Sequence, residues 1–202
     1  DDRTSRGLGD VYKRQLDEYI NMAKRTLEGQ DLGVLYDLDT DIGSFRFRYN
    51  ASYTDTFDQI PTGAFGVIND AQQSGLVPLY VNLGGFGDLL GIDGNYDEKH
   101  SMRLSWRKGP WGASLSGLKK GSFIQSSLTL ADGTEYVIPS MTTMDASVDY
   151  RFDIGGSDAR LRFAVKNLED ERAPIADRFY GFYADAHQDY GRNYYVSLKV
   201  DM

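Results

Sequence analysis

The sequence predicts an all-β chain, an antiparallel up-and-down transmembrane β-barrel segment of about seven strands. Three observations predict this fold class. Apolar and polar residues alternate with a period of two, which places one kind of side chain on each face of a strand. The connections between these segments are alternately short and long, and aromatic residues gather beside the short ones.

The predicted strands cover most of the chain. Their bounds are about 18–38, 43–55, 97–108, 111–124, 141–153, 158–168 and 190–202. In the first of them, Ile20 shares its parity with Leu32, Val34 and Tyr36 across Gly29. A turn at Gly29 would have no reason to preserve that phase, so we expect one long strand.

Alternation is clearest in the second strand, where Phe45, Phe47 and Tyr49 alternate with Arg46 and Arg48. The later strands repeat it with the apolar members Met102, Leu104 and Trp106, then Trp111, Ala113 and Leu115, then Met144, Ala146, Val148 and Tyr150, then Leu161, Phe163 and Val165, and finally Tyr194, Val196 and Leu198. Each set faces polar residues of the opposite parity, so every strand is expected to be amphipathic.

The connections predict a meander with two unequal ends. Short connections lie near 39–42, 108–110 and 155–157, whereas the long ones cover about 56–96, 125–140 and 169–189. Four of the five prolines, Pro61, Pro78, Pro139 and Pro174, fall in the long connections. Proline is therefore absent from strand interiors, where it would break the hydrogen-bond ladder.

Composition excludes several classes of function. The 22 Lys and Arg against 30 Asp and Glu give a net charge of -8, which argues against a general nucleic-acid binder. The absence of cysteine excludes disulfides, cysteine-ligated zinc and thiol nucleophiles. No apolar run reaches the length of about 20 residues that a membrane-spanning helix needs, and the chain does not open with an export-signal pattern.

Two interpretations of the apolar faces compete. A soluble antiparallel sheet would pack them on a second layer, whereas a membrane barrel would turn them to lipid. Strands of about 11 residues match a tilted bilayer crossing. Aromatic residues beside the short turns, namely Tyr36, Phe45, Trp106, Trp111 and Phe152, resemble an interfacial girdle. Because the opposite parity is rich in Arg and Asp, which suits a wet lumen, we favour the membrane barrel.

The C-terminal segments carry a family resemblance. Asn167-Leu168-Glu169-Asp170-Glu171-Arg172-Ala173-Pro174, followed by an aromatic loop and by Tyr190-Gly191-Arg192-Asn193, resembles the end of TonB-dependent outer-membrane receptors. The segments 106–111 and 139–145 resemble a hairpin and a strand opening of the same family, and Asn21, Gly29, Asp31 and Leu32 match loosely. The resemblance covers 16–202 and is most specific over 160–202. It departs at Glu169, where the family usually has Phe, and at Met202, where it usually has an aromatic residue.

The resemblance implies an active importer in the outer membrane of a Gram-negative bacterium. Its barrel would have about 22 strands around an N-terminal plug, and this chain would supply the last third, an incomplete barrel. The expected partners are the missing strands and plug of the same protein, the TonB complex acting through that plug, outer-membrane lipid and a bulky extracellular solute such as a ferric siderophore or an oligosaccharide. No cofactor and no nucleic acid are expected. Residues 1–15 resemble translated adapter sequence, so we expect a non-native or unstructured leader there and receptor barrel over 16–202.

Two sets of candidate site residues follow. The last long loop offers Arg178, Tyr180, Tyr183 and His187 among further aromatic residues, a combination that suits a substrate with rings or sugars. Loop-to-loop packing is the alternative explanation of this set. The lumen-facing parity offers Arg46, Arg48, Arg103 and Arg162, which would pair with the plug, guide an anionic ferric complex, or pair with carboxylates of the same wall such as Asp145 and Asp149.

Other chemistry is poorly supported. The loop 57–98 carries six carboxylates and no Lys or Arg, which describes either a cation-attracting vestibule or a solvated surface. Asp93, Asn95 and Asp97 open like a calcium loop, but Glu98 replaces the required glycine, so no metal site is predicted. With only His100 and His187 present, no catalytic set forms and no enzyme is predicted. The alternative functions are a passive outer-membrane channel and a soluble β-rich binding module.

Overall fold

The computed structural model describes residues 24–81 and 85–201. Its strands are β1 Lys24–Thr40, β2 Gly43–Ile60, β3 Gly87–Asp88, β4 Glu98–Lys108, β5 Trp111–Lys120, β6 Phe123–Thr129, β7 Glu135–Ile138, β8 Met141–Ile154, β9 Ser157–Lys166 and β10 Asn193–Val200, with one helix, α1, at Gly63–Gln73. Within the described ranges, no helix is both long and apolar enough to cross a membrane.

Seven long strands form one antiparallel sheet in the order β1-β2-β4-β5-β8-β9-β10. The two-residue β3 adds to β2, and β6 pairs with β7 in a separate hairpin. In the described part of the chain β1 and β10 each pair on one side only, so the sheet does not close. The predicted fold class is confirmed: the chain is an all-β, up-and-down, incomplete barrel-like sheet.

Three tight turns lie at one end of the sheet, which we call the turn end: 41–42, 109–110 and 155–156. The long connections 61–97, 121–140 and 167–192 lie at the opposite, loop end. At the first turn, the Trp106 indole donates a hydrogen bond to the carbonyl of Ile42 at 2.9 Å. Gly43 is required beside it, because it has a φ of 126° and a Cβ there would lie 2.5 Å from the Trp106 nitrogen.

The strand bounds differ from the prediction in places. The predicted first strand is one strand over Lys24–Thr40, and its expected start at 18–23 lies outside the described residues. A register shift at Glu28/Gly29 leaves Asp55 of β2 without a directly opposite residue on β1. The predicted strand 111–124 is too long, because β5 ends at Lys120 and Phe123 starts a separate strand.

Cross-strand register sorts the side chains of the sheet onto two faces. One face, which we call the apolar face, consists of five rows that begin at Phe152, Trp111, Trp106, Leu104 and Met102. The row through Trp106 also contains Leu38, Phe45, Ala113, Val148, Phe163 and Val196. The next row towards the loops brings in His100 and Lys119, so the apolar face ends there.

The apolar face is not covered by a second layer. Leu104, Val148, Phe163 and Val196 are 41%, 46%, 48% and 67% exposed. The main buried cluster lies instead among the long connections and consists of Phe123, Ile138, Ala176, Tyr183 and Ala186. We call this cluster the loop core. The buried apolar cluster of the described chain therefore lies at the loop end and not on the sheet.

Candidate functional site

The opposite face of the sheet, which we call the polar face, carries ion pairs that cross from strand to strand. Asp149 of β8 accepts a hydrogen bond from Arg160 of β9 at 2.7 Å and pairs with Arg107 of β4 at 3.4 Å. Gly112 of β5 stands between Arg107 and Asp149 in the register, and a Cβ there would lie 2.9 Å from both side chains. The lack of a side chain at Gly112 thus lets the guanidinium reach across β5.

Two further arginines on the polar face also have partners within the sheet. Arg46 pairs with Asp37 at 2.7 Å, and Arg162 donates to the Ser147 hydroxyl at 3.0 Å. Arg48 and Arg103 are directly opposite each other on β2 and β4. Neither of these two guanidinium groups has a hydrogen bond or an ion pair with another residue of 24–81 or 85–201.

A cleft of about 530 Å³ lies along this face towards the turn end, and we call it the lower cleft. Arg46, Arg103, Arg107, Arg160 and Arg162 line it together with Asp37, Asp39 and Asp149. All four predicted lumen-facing residues, Arg46, Arg48, Arg103 and Arg162, lie on the polar face. Asp37 neutralises Arg46, whereas Arg48, Arg103 and Arg162 have no ion pair with a described residue.

At the loop end, one carboxylate joins three connections. The Asp93 carboxylate accepts hydrogen bonds from the Tyr183 hydroxyl at 2.5 Å and from the Ser126 backbone N–H at 3.1 Å, and it pairs with Arg178 at 3.4 Å. Burial raises the pKa of Asp93, but a hydrogen bond from the Ser126 hydroxyl, these two donors and the Arg178 charge outweigh it, so the pKa lies below its ordinary value. Burial and the Asp93 carboxylate raise the pKa of Tyr183 to about 12.

Gln125 extends the same junction. Its side chain is completely buried and exchanges two hydrogen bonds of 3.0 Å with the backbone of Asp177. The Tyr136 hydroxyl donates to the carbonyl of Ile175 at 3.0 Å. The β6–β7 hairpin and the last long connection therefore form one hydrogen-bonded unit.

His187 lies in this unit without polar partners for its ring. It is 2% exposed and stacks on Phe123 with 5.7 Å between ring centroids. In the described part of the chain neither ring nitrogen has a hydrogen-bond partner. Burial and the nearby Lys120 ammonium both hold the pKa of His187 below its ordinary value, because each penalises a second positive charge.

Hydrogen bonds of Asn and Asp side chains hold the segment between β9 and β10 in place. The backbone N–H of Asn167 donates to Asp145 at 2.9 Å, while the side chain of Asn167 bonds to the backbone of Glu171 in both directions. The Asp170 carboxylate accepts a hydrogen bond from the Arg192 backbone N–H at 2.6 Å. Asn and Asp thus fasten the end of β9 to the start of β10.

A second cleft, of about 510 Å³, lies where this fastening meets the polar face, and we call it the upper cleft. Its lining comprises Ser116, Gly117, Leu118, Thr143, Asp145, Lys166, Asn167, Gln188, Tyr190, Gly191 and Asn193. The fold thus brings polar side chains of β5, β8 and β9 together with the chain just before β10. The sequence pattern placed Asp145 on the lumen side and Tyr190 in the aromatic loop, but it did not predict that both line the same cleft.

The predicted loop residues separate into two groups. Arg178 and Tyr183 contact each other in the loop core, and His187 lies on another side of Phe123. Tyr180 is 69% exposed and belongs to an aromatic group with Phe179 and Phe182. Tyr183 and His187 are therefore packing residues of the loop core, while Tyr180 remains accessible to a solute.

Asp93 is the first residue of the candidate calcium loop. Its carboxylate is engaged by Ser126, Tyr183 and Arg178. Within 24–81 and 85–201, no three His, Asp or Glu side chains come together as a metal site.

Comparisons with protein families, with curated proteins and with solved structures found no match. The function is therefore inferred from the two faces of the sheet and from the clefts.

Proposed function

We propose that this chain is part of an outer-membrane active-transport receptor that takes up a scarce, bulky solute with energy supplied through TonB. The observation that carries the proposal is the exposed apolar face, because soluble proteins rarely leave a continuous apolar surface of this extent uncovered. Lipid is the solvent that such a face suits.

The dimensions of the apolar face support a bilayer crossing. Its five rows are two residues apart, which amounts to about 27 Å along a strand. At a strand tilt of about 40° the height is about 21 Å, near the roughly 25 Å apolar band of outer-membrane barrels. Trp111 and Tyr150, whose rings are 4.7 Å apart, lie near its turn end, where an aromatic girdle belongs.

The polar face suits the wall of a wet lumen. Ion pairs such as Arg160–Asp149 would be costly in contact with lipid, but they are well placed where water and a plug domain meet the wall. The choice of a receptor over a passive channel rests on the resemblance of 160–202 to TonB-dependent receptors. In this proposal the chain has no catalytic role and needs no cofactor.

Uptake in the native host tests the proposal. Deletion of the complete gene should abolish uptake of one member of a panel of radiolabelled ferric siderophores and oligosaccharides, and a protonophore should stop that uptake in the wild-type strain. Uptake that depends on the gene but continues with the protonophore would identify a passive channel instead. An upstream reading frame without a plug domain would also contradict the receptor assignment.

A further inference from the structure

The upper cleft combines charge balance with hydrogen-bonding groups that lack partners. It contains one carboxylate, Asp145, and one ammonium group, Lys166. Ser116, Thr143 and Gln188 have no hydrogen-bond partner among the described residues. A cleft with balanced charge and several donors and acceptors matches a hydroxyl-rich ligand, because each hydroxyl both donates and accepts.

An aromatic ring stands at the rim of the upper cleft. Tyr190 is 80% exposed and has no ring partner in the described chain. The backbone that follows Tyr190 is held by Asn193, whose side-chain amide donates to the Gly191 carbonyl at 3.0 Å. An exposed aromatic face of this kind offers a stacking surface for the apolar face of a sugar ring.

A small cavity of about 70 Å³ adjoins the upper cleft and shares Leu118, Thr143 and Gln188 with it. Lys120 and His187 complete its polar lining. His187 is 2% exposed and both of its ring nitrogens lack partners in the described chain. A buried polar ring of this kind is rare unless a ligand or a water completes its bonds, so it is a second, independent sign of a binding site.

The upper cleft suits an anionic solute less well than a neutral one. In the lower cleft, Arg46, Arg107 and Arg160 already pair with Asp37 or Asp149. A negatively charged ferric complex there would displace these carboxylates or bind at Arg103 and Arg162, which have no ion pair in the described chain. The upper cleft has no excess of positive charge to offer it.

We propose that the upper cleft binds a neutral oligosaccharide, with Tyr190 stacking on a sugar ring and Thr143, Asp145 and Gln188 bonding its hydroxyls. This inference rests on the proposed receptor function and specifies its substrate class. His187 and Lys120 line the small cavity that adjoins the site.

The test uses the full-length receptor, purified from outer membranes in detergent. It is applied to a printed array of neutral and acidic oligosaccharides and, in solution, to a ferric hydroxamate and a ferric catecholate complex. At least one neutral oligosaccharide should bind, and Tyr190→Ala or Gln188→Ala should weaken its binding by about tenfold or more. Tyr80→Ala removes an equally exposed tyrosine (86% exposed) from another loop and should change the affinity less than about twofold.

The possible failures are distinguishable. Binding of ferric complexes or acidic glycans alone, or neutral-glycan binding that Tyr190→Ala leaves unchanged, overturns the sugar site while the receptor function stands. Failure of every neutral glycan to bind also overturns the sugar site. Loss of the receptor function itself is detected separately, as uptake that a protonophore does not stop.

Discussion

At the scale of single residues, the hydroxyl of Tyr183 connects two long loops. It donates to Asp93, which is 90 residues away in sequence, and accepts from Arg178. Its ring packs edge-on against Phe123 at 5.0 Å. The hydroxyl and the ring can be separated by substitution, because Tyr183→Phe keeps the packing and removes only the hydrogen bonds.

We expect Tyr183→Phe to loosen the loop core by about 1–2 kcal/mol, the cost of leaving buried polar partners unsatisfied. Amide hydrogen exchange of 123–138 and 176–187 in the full receptor should accelerate by about tenfold, while the long strands keep their protection. Tyr180→Phe is the matched control, since that hydroxyl has no partner in the described chain. Equal exchange in both variants would contradict the role of the Tyr183 hydroxyl.

His187 predicts a pH dependence of the loop core. Because its folded-state pKa is below the ordinary 6.5, the unfolded loop binds the proton more readily than the folded loop. Stability of the loop core is therefore complete above 6.5 and falls as the pH drops below it. Hydrogen exchange of 176–187, corrected for intrinsic rates, should show this loss, and His187→Gln should remove it. A wild-type loop core with constant protection down to pH 5 would refute this.

The sequence grouped Arg178, Tyr180, Tyr183 and His187 as solute-binding candidates, with loop-to-loop packing as the alternative, but it did not predict how they are arranged. Tyr180 is exposed, whereas Tyr183 and His187 are buried, as packing requires. Their partners Asp93 and Phe123 lie in other connections. Loop packing depends on such long-range contacts, and no periodic pattern in the sequence encodes them.

At the scale of elements, parity predicted the long strands well because one-residue slips would exchange the two faces. It failed at the end of β5, where the pattern continued to Phe123. The chain leaves the sheet at Gly121, whose N–H donates to the Glu98 carbonyl at 2.8 Å, and Phe123 turns into the loop core. Helix α1 was also missed, since it buries none of its residues and has no strong pattern.

The two faces of β4 predict opposite responses to the same substitution. Leu104→Arg would place a charge on the apolar face near its middle, which costs about 2–4 kcal/mol in a bilayer. Ser105→Arg places the charge on the polar face, directly opposite Arg46, where like-charge repulsion should cost no more than about 1 kcal/mol. The temperature at which the full receptor loses its compact electrophoretic form should fall markedly for Leu104→Arg only. Equal losses in both variants would argue against lipid contact.

At the scale of the whole molecule, an open sheet with an uncovered apolar face determines the behaviour of the isolated chain. Its edge strands β1 and β10 have unpaired outer sides in the described structure, which favours association with other chains. We expect the refolded 202-residue chain to need detergent or lipid to remain dispersed. Light scattering and circular dichroism with and without detergent measure this. A folded, monodisperse sample in buffer alone would support a soluble β-rich module.

The sequence predicted the up-and-down order of the long strands, because its short and long connections alternate strictly. The clefts of the polar face were beyond prediction, since the lower cleft depends on register across six strands and the upper cleft on how the last loop returns to β10.

The central claim is that the apolar face of the sheet contacts lipid while the polar face contacts water. These 202 residues contain no cysteine. After any cysteine elsewhere in the full receptor has been replaced by serine, single cysteines can be introduced along β4 from position 102 to 106 and spin-labelled in lipid bilayers. Labels at Met102, Leu104 and Trp106 should be accessible to oxygen, which concentrates in lipid, and labels at Arg103 and Ser105 should not. Uniform accessibility to a water-soluble relaxation agent along β4, without this two-residue period, would contradict the claim.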